Sequence, residues 1–355
     1  MRINYWDQSP KGKIKLICKK RDVKVGHFKN CTIDGHSLHY PQPLLRCGDE
    51  LILPTIERFM SLNRGTIYEE NMELEPRQAA IDKIEKNPVF YFVYNCANYF
   101  HWIYDTVPYL YHYINERKNT SNLKLLINVP ENKEDLYPFV YETLSLLGIT
   151  KSDLVFLQGN TQYNKVIIGS SLTHNRASLL PPHKGLYSVL RLMRGSKSNE
   201  KYIYISRRTW SQPSNNNIGS NYTQERKCVN EDEVALIFRE RGFKEIFCEN
   251  LSMKDKIGLF ENARFVAGPS GGGMANVLFC KASTTVLSIN DPDFFTVNKR
   301  LEHALSHTRL HHFNSTRFVD KKPETKNKNS LSVSGGPNSP WEVDLKKLKK
   351  FLTTI

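Results

Sequence analysis

The chain has 355 residues, too many for one ordinary hydrophobic core, and suits two lobes of about 150 to 180 residues. Its hydrophobic content of 39% and aromatic content of 11% are those of a folded soluble protein, which excludes a disordered chain. The formal charge of +14 favours an anionic partner, either nucleic acid, an acidic membrane face or a phosphorylated substrate, without choosing among them.

The seven cysteines are scattered, and no two of them have the spacing of a zinc knuckle or a redox motif. We therefore expect reduced thiols in a protein that faces the cytosol. The N-terminus has no apolar run of signal-peptide length, and no stretch of about 18 apolar residues would span a membrane. The sequence therefore predicts a cytoplasmic protein.

The first lobe is predicted over residues 1–182. Short strands and turns precede a dense β-branched and aromatic strand at residues 89–94. Helical spacing follows over residues 100–113, and a second helix at residues 136–147 is closed by Gly148. The alternation of strands with helices predicts an α/β lobe with a mainly parallel sheet.

The second lobe is predicted over residues 183–319. Its strands are expected at residues 202–205, 244–247, 265–267 and 285–289, and its helices at residues 231–241 and 253–262. This βαβαβ pattern is typical of a nucleotide-binding half. A flexible loop rich in Lys, Asn, Ser and Gly is expected at residues 320–340, and a C-terminal helix at residues 341–355.

The strongest local signal is the turn Gly-Pro-Ser-Gly-Gly-Gly at residues 268–273, between an apolar strand and a helix. Glycines allow the backbone to approach a ligand closely, and free N–H groups at a helix start favour an anion. The turn is neither a P-loop nor a dinucleotide fingerprint. A tight turn without a ligand is the alternative interpretation.

A second signal lies in the stretch of residues 98–108. If it is helical, His101 and Asp105 share one face, because they stand four residues apart. Such a pair can deprotonate a hydroxyl, one group acting as the base and the other orienting it. A buried histidine with a local hydrogen bond is the alternative.

Arg207 and Arg208 follow a strand at the edge where open α/β sheets bind ligands, and guanidinium groups match phosphate oxygens. A surface charge pair is the alternative. Asn230 is a good N-cap for the helix that begins with Glu231, so capping explains most of that segment, with a ligand role for Glu231 as the alternative.

The acids of Asp291-Pro292-Asp293 have the spacing of a pair that carries a divalent cation. The proline between them favours a turn instead. No cluster of His, Cys and acidic residues has zinc spacing either. We therefore expect no metal site.

Taken together, these segments resemble the glycosyltransferase 61 family, which includes plant xylosyl- and arabinosyltransferases, O-linked GlcNAc transferases and bacterial capsule enzymes. The family pattern Asn-(Tyr/Phe)-x-His-(Trp/Phe)-x-x-Asp-x-x-Pro matches residues 98–108. The resemblance covers roughly residues 85–310, and further ordered motifs match at residues 206–207, 226–231, 242–243 and 263–276, followed by Phe279.

The resemblance implies a GT-B architecture, with two Rossmann-like lobes facing across a cleft. It implies an inverting, metal-independent transferase that moves a sugar from a nucleotide sugar, most simply a UDP-sugar, to a hydroxyl of a glycan or glycoconjugate. In this mechanism Asp105, held near His101, accepts the acceptor proton during a single displacement. Arg207 and the amides of residues 270–273 stabilise the nucleoside diphosphate.

The site residues that the resemblance implies fall into two groups. The donor-binding group comprises Arg207, Arg208, Glu231, Lys256, Ser270, Gly271, Gly272, Gly273 and Asn276, and the acceptor-side group comprises Asn98, Tyr99 and Trp102. Three positions depart from the family pattern: Ser270 replaces a His, Gly272 an Ala, and Lys256 a Gln.

Other functions stay open at this stage. An inactive family member, a non-catalytic polyanion or nucleic-acid binder, and a nucleotide-dependent enzyme of another chemistry are the alternatives. The charge of +14 motivates the polyanion binder, although no nucleic-acid-binding signature is present. The absence of a signal or anchor fits a bacterial or viral enzyme of the cytoplasm, with weak association with an anionic membrane as a lesser expectation.

Overall fold

The computed structural model describes the residues 2–4, 23–34, 45–48, 50–52, 80–130, 133–173, 181–208, 227–292, 301–302, 304–305, 309–319 and 339–355. They form a mixed α/β protein with parallel sheets and several helices. The chain divides into two compact units. Unit 1 comprises Met1–Ala97 and His101–Leu192, and unit 2 comprises Asn98–Phe100 and Met193–Ile355. The sequence places the division between the lobes ten residues earlier, at residues 182 and 183.

Unit 1 is built on one mixed sheet. Its strands are β1 (Arg2–Asn4), β2 (Val25–Asp34), β3 (Leu45–Cys47), β4 (Glu50–Ile52), β5 (Lys83–Glu85), β6 (Val89–Tyr91), β7 (Lys124–Ile127), β8 (Leu154–Phe156) and β9 (Asn160–Gly169). Their spatial order is β1-β4-β3-β2-β9-β6-β7-β8, with β5 also paired to β9. The strands β6 to β9 pair in parallel, which confirms the parallel character predicted for this lobe.

The helical run after β6 is less regular than its sequence predicts. It begins with α1 (Tyr99–His101), continues as a π-helix (Trp102–Thr106) and a 3-10 turn (Val107–Tyr109), and ends with α2 (Leu110–Glu116). The wide turn closes through a bond from the Val107 N–H to the Trp102 carbonyl. Pro108 follows it, and its missing N–H prevents a regular α-helix from continuing there.

The remaining helices of unit 1 are α3 (Pro138–Leu146), a 3-10 turn (Lys151–Asp153) and α4 (Gly185–Leu192). Helix α3 confirms the helix predicted there, and Gly148 follows it at φ +70°, a left-handed conformation that glycine adopts without strain. The core beneath the helices is aromatic. Tyr94 and Tyr109 stack with their ring centroids 3.9 Å apart.

The expectation of reduced thiols is wrong for one pair of cysteines. Cys31 on β2 and Cys47 on β3 form a disulfide. They stand directly opposite each other in an antiparallel ladder, with their Cα atoms 4.2 Å apart. Their scattered sequence positions do not reveal this, because strand register brings them together. The free thiols among the described residues are Cys96, Cys228, Cys248 and Cys280.

Unit 2 contains a parallel sheet and a small antiparallel pair of strands. The strands are β10 (Tyr202–Ile205), β11 (Lys244–Ile246), β12 (Phe265–Pro269), β13 (Thr285–Ile289), β14 (Arg309–Phe313), β15 (Thr316–Phe318) and β16 (Trp341–Val343). The order β11-β10-β12-β13-β14 is parallel throughout, and β15 pairs with β16 antiparallel. Apolar runs such as Tyr-Ile-Tyr-Ile in β10 are typical of buried parallel strands.

The helices of unit 2 connect these strands. They are α5 (Glu231–Arg239), a 3-10 turn (Cys248–Asn250), α6 (Met253–Asn262), a 3-10 helix (Gly272–Phe279) and α7 (Leu345–Phe351). Helix α6 has the predicted bounds, and the Ser252 side chain caps it by accepting from the Asp255 N–H. Of the loop predicted at residues 320–340, residues 320–338 lie outside the described residues. The C-terminal helix predicted at residues 341–355 is wrong at its start, because residues 341–343 form strand β16.

Asn230 has a different task from the N-cap predicted for it. It stands at the N-cap position of α5, but its side chain makes no capping bond there. Instead its amide donates to the Val343 carbonyl at 2.9 Å and accepts from the Val343 N–H at 3.0 Å. These two bonds fasten β16, whose Trp341 is fully buried in the core of unit 2. None of the described helices has the length and apolar character needed to cross a membrane.

Candidate functional site

The parallel sheet of unit 2 has one place where its connections change direction. The chain runs from β10 to β11 on one side and from β12 to β14 on the other, so this switch lies between β10 and β12. Open α/β sheets bind ligands beyond the carboxyl ends of their strands at such a switch. Arg207 follows β10, and Ser270 follows β12. The Arg207 Nη1 donates to the Ser270 carbonyl at 3.0 Å and so bridges the two strand ends.

The glycines at the end of β12 and in the turn after it serve different purposes. A Cβ on Gly268 would lie 2.8 Å from the Ile205 carbonyl oxygen, so the close spacing of β10 and β12 requires glycine there. A Cβ on Gly273 would lie 3.0 Å from Cγ2 of Ile205, whereas one on Gly272 would meet no atom within 4 Å. Gly268 is therefore a packing residue, and Gly272 faces open space.

Gly271 lies against the Arg207 guanidinium. A Cβ at this position would stand 3.4 Å from the guanidinium carbon, which is ordinary van der Waals contact. The 3-10 helix begins at the next residue, Gly272, and the first N–H groups of a helix have no acceptor within it. A guanidinium and a helix start therefore adjoin each other at the switch point of unit 2.

Glu231 holds the backbone of Arg207. The Arg207 N–H donates to Oε1 of Glu231 at 2.7 Å, and the hydroxyls of Tyr204 and Ser206 point to the same oxygen at 3.2 and 3.4 Å. Burial raises the pKa of Glu231, while the N–H and the charge of Arg207 oppose that rise. The Glu231 carboxylate thus fixes the position of the Arg207 backbone, from which the guanidinium extends to the glycine turn.

Arg208 is engaged elsewhere. Its Nε and Nη2 bind both carboxylate oxygens of Glu245 at 2.8 and 2.7 Å, and its Nη1 binds Asp232 at 2.5 Å. These side-chain bonds raise the pKa of Arg208 above its usual value. Although the two arginines are adjacent in sequence, only Arg207 is directed at the glycine turn.

Lys256 and Asn276 lie in unit 2 together with Tyr99, which the sequence assigns to the acceptor side. The Lys256 side chain on α6 is only 2% exposed, and its Nζ lies 4.7 Å from the centroid of the Tyr99 ring. The Tyr99 hydroxyl donates to Oδ1 of Asn276 at 2.6 Å. The Asn276 amide group in turn donates to the Gly273 carbonyl at 2.9 Å. A buried cation, an aromatic ring and the glycine turn are therefore linked within one unit.

Two residues near this group are not predicted from the sequence. Burial raises the pKa of the Cys248 thiol to about 12, against the opposing charge of Lys256. Burial also raises the pKa of Glu249, against the opposing charges of Lys256 and Arg207. Glu249 is thus within electrostatic reach of both cations. Its position just past the carboxyl end of β11, beside the switch, is the sequence signal that points to it.

Ser270 is buried, with 1% of its surface exposed. Its N–H donates to the Ile289 carbonyl at 2.8 Å, and its hydroxyl accepts from the Asp291 N–H at 3.3 Å. These bonds join the ends of β12 and β13. Asp291 is likewise buried, and Asp293 lies outside the described residues. Among the described residues, no three His, Cys, Asp or Glu side chains gather as they would around a metal ion.

Unit 1 holds the histidine–carboxylate pair. The His101 Nδ1 lies 2.6 Å from Oδ2 of Asp105, so the two side chains do share one face of the helical run. The Asp105 side chain is fully buried, whereas that of His101 is 22% exposed. The Thr173 hydroxyl lies 3.5 Å from the other oxygen of Asp105. Of the pair, the imidazole is the group within reach of solvent.

This pair also occupies a switch point. In unit 1 the chain proceeds from β6 to β7 and β8 on one side, and β9 lies on the other side of β6. Asp105 follows β6, and Thr173 follows β9, so their contact spans the carboxyl ends of the two strands on either side of the switch. The same topological rule that selects the glycine turn in unit 2 therefore selects the His101–Asp105 pair in unit 1.

The other two acceptor-side residues lie in different surroundings. Trp102 is fully buried in unit 1, where its ring packs edge-on against Phe92 and its Nε1–H donates to the Thr143 hydroxyl at 3.1 Å. It is a core residue. Asn98 is half-buried and belongs to unit 2.

A comparison with protein-family models matches the chain from residue 99 to residue 287 with the model described as glycosyltransferase 61. The match spans more than half of the chain and includes the histidine–carboxylate pair, Arg207, Lys256 and the glycine turn. The chain belongs to the glycosyltransferase 61 family. This glycosyltransferase therefore acts on a sugar donor and an acceptor, as its family implies. A comparison with curated proteins found no match.

Proposed function

We propose that this glycosyltransferase is an inverting, metal-independent enzyme of the GT-B type. It moves a sugar from a nucleotide-sugar donor, a UDP-sugar in the simplest case, to a hydroxyl of a glycan or glycoconjugate. Unit 2 binds the donor, and unit 1 supplies the group that accepts the proton. The support for two lobes with separate tasks is that each α/β unit has chemical groups at its own switch point.

The observation that carries the proposal is the placement of Arg207 at the switch point of unit 2. Glu231 holds its backbone, and its guanidinium bridges to the turn that starts a helix. Guanidinium groups and helix N-termini both bind phosphate oxygens well. The open space at Gly272 leaves room for the diphosphate beside the guanidinium.

The leaving nucleoside diphosphate requires positive charge because it takes the bonding electron pair with it. We propose that Arg207 and the buried ammonium of Lys256 supply that charge, together with the first N–H groups of the 3-10 helix. Burial raises the pKa values of Glu231 and Glu249, and the nearby charge of Arg207 opposes that rise in both. The proposed charge balance therefore involves no metal ion.

In the proposed step, the acceptor oxygen bonds to the anomeric carbon while the bond from that carbon to the diphosphate oxygen breaks. One displacement of this kind inverts the anomeric centre. The acceptor proton passes to His101 Nε2, because Asp105 occupies the Nδ1 side of the ring and is itself fully buried. This reverses the roles expected from the sequence, in which Asp105 is the base.

The donor site is tested by binding nucleotides in the presence of EDTA. We expect one of UDP, GDP and ADP to bind the wild-type protein by calorimetry, with the same Kd when Mg²⁺ replaces EDTA. Arg207→Met should weaken that binding about 10- to 100-fold, since hydrogen bonds to charged groups contribute about 1.5–3 kcal/mol. Arg208→Met is the matched control, because its guanidinium is directed at Glu245 and Asp232, and the Kd should stay within a factor of about three. An unchanged Kd in Arg207→Met would contradict the proposed donor site.

The catalytic pair is tested by following nucleoside diphosphate release with a panel of glycan acceptors. His101→Ala should abolish release and leave nucleotide binding intact, because it removes the proton acceptor. Asp105→Asn should lower kcat about 10²- to 10⁴-fold by releasing the imidazole from its orientation. If His101→Ala keeps most of its activity while Asp105→Asn loses all of it, the carboxylate is the base and the proposed roles are wrong.

A further inference from the structure

Tyr99 belongs to the motif that also contains His101, yet it contacts Lys256, Met253 and Asn276 of unit 2. We propose that Tyr99 is a positioning residue of the donor site, which fixes the ammonium of Lys256 beside the glycine turn for diphosphate binding. This inference rests on the proposed function and deepens it. It moves Tyr99 from the acceptor side, where the sequence places it, to the donor side.

The hydroxyl end of Tyr99 is tied to the glycine turn through one intermediate residue. Its O–H donates to Oδ1 of Asn276 at 2.6 Å, and Asn276, which is fully buried, donates to the Gly273 carbonyl at 2.9 Å. A short bond to a buried amide leaves the phenol little freedom to turn. The position of the Tyr99 ring is therefore fixed relative to the turn that begins the 3-10 helix.

The face of the ring is directed at Lys256. The ammonium lies 4.7 Å from the ring centroid, and the lysine is 2% exposed, so it has lost most of its water. A desolvated ammonium needs compensation, and the negative face of an aromatic ring provides it. Because a lysine has four rotatable side-chain bonds, the ring also restricts where the charge can lie.

Tyr99 connects two separate elements by these contacts. Lys256 and Met253 are on α6, with the Met253 sulfur 3.3 Å from the Tyr99 hydroxyl, whereas Asn276 is on the 3-10 helix. Tyr99 thus contacts both the helix that carries the charge and the 3-10 helix that begins at the glycine turn. Charges that are already in place lose less entropy when an anion binds, and this preorganisation strengthens binding.

The test measures UDP binding by calorimetry, with GDP and ADP in parallel. Tyr99→Phe keeps the ring face over Lys256 and removes the bond to Asn276, so it should weaken binding less than the loss of the whole ring does. Tyr99→Leu removes the ring face and should weaken binding about tenfold or more. Tyr202→Leu, a substitution of a 44% exposed tyrosine on β10, is the matched control and should leave the Kd unchanged.

The decisive comparison repeats the Tyr99 variants in a Lys256→Met background. If Tyr99 acts through the lysine, replacing tyrosine by leucine has little further effect once the ammonium is gone. A merely structural role would instead weaken binding by the same factor in both backgrounds. Should Tyr99→Leu not fold, trifluorophenylalanine at position 99 preserves the shape of phenylalanine and weakens only the ring's attraction for a cation. It should raise the Kd relative to Tyr99→Phe.

The outcomes separate this inference from the proposed function. If the wild-type protein binds none of the three nucleotides, the proposed function fails and the role of Tyr99 fails with it. If the wild-type protein binds one of them and Tyr99→Leu binds it equally well, the donor site stands and the role of Tyr99 is overturned. That role is also overturned if Tyr99→Leu weakens binding equally with and without Lys256.

Discussion

Single replacements of Gly268 and Gly272 by alanine distinguish a glycine that is required for close packing from one that faces open space. In Gly268→Ala the new methyl carbon would lie 2.8 Å from the Ile205 carbonyl oxygen and 2.9 Å from the Ile205 Cβ. Both atoms belong to β10 or are fixed to it, and ordinary contacts begin near 3.4 Å, so the two strands must separate by about half an ångström. Overpacking of this kind costs about 1–3 kcal/mol.

Gly272→Ala provides the matched comparison four residues further on. Its methyl carbon would meet no atom within 4 Å, and the residue does not adopt the left-handed conformation that disfavours alanine. The lower chain entropy of alanine in the unfolded state should then stabilise the protein by about 0.4–1 kcal/mol. Alanine is also the residue that the family pattern has at this position.

The assay is thermal unfolding of both variants beside the wild-type protein. We expect Gly268→Ala to lower Tm by about 2–12 °C, since 1 kcal/mol corresponds to about 2–4 °C for a domain of 150–250 residues. Gly272→Ala should keep or raise Tm. The reasoning is refuted if the two variants shift Tm in the same direction by similar amounts, because the Cβ environments would then not determine the outcome.

Two further predictions concern unit 1. Burial lowers the pKa of His112 to about 4, partly offset by its bond to the Ser170 carbonyl, so the unfolded chain binds the proton first as the pH falls. The stability it contributes is present above pH 6.5 and is lost toward pH 4, by about 3 kcal/mol in urea unfolding, and His112→Gln should remove this dependence. Reduction of the Cys31–Cys47 disulfide, whose ends are 16 residues apart, should lower the free energy of unfolding by about 3 kcal/mol. An equal response to reductant in Cys31→Ser would show that the bond does not form.

The sequence predicts best the elements whose pattern is local. Helix α6 and strand β13 have the bounds expected from apolar periodicity and from a β-branched run. The His101–Asp105 contact is also predictable, because a spacing of four residues brings side chains to the same face of an α-helix. The π-helix inside that run could not be predicted, because no residue type or pattern marks a hydrogen bond between residues five apart in the sequence.

Features that depend on tertiary neighbours could not be predicted. Arg207 and Arg208 have the same chemistry, and only the folded positions of Ser270 and Glu245 distinguish a guanidinium at the turn from one in an ion pair. The disulfide depends on strand register, and the place of Tyr99 depends on how a short segment packs. A local sequence pattern identifies the residues whose side chains could bind a ligand or catalyse a reaction. Tertiary packing determines which of these side chains are in contact.

Unit 2 takes three of its residues, Asn98–Phe100, from a part of the chain that precedes most of unit 1's helices. A fragment that starts at Met193 would encode the parallel sheet and Lys256 but would lack the ring that covers the ammonium. A single crossover at that point between two relatives would therefore combine position 256 from one parent with position 99 from the other. Chimeras that are meant to inherit unit 2 whole need a second crossover around residues 98–100.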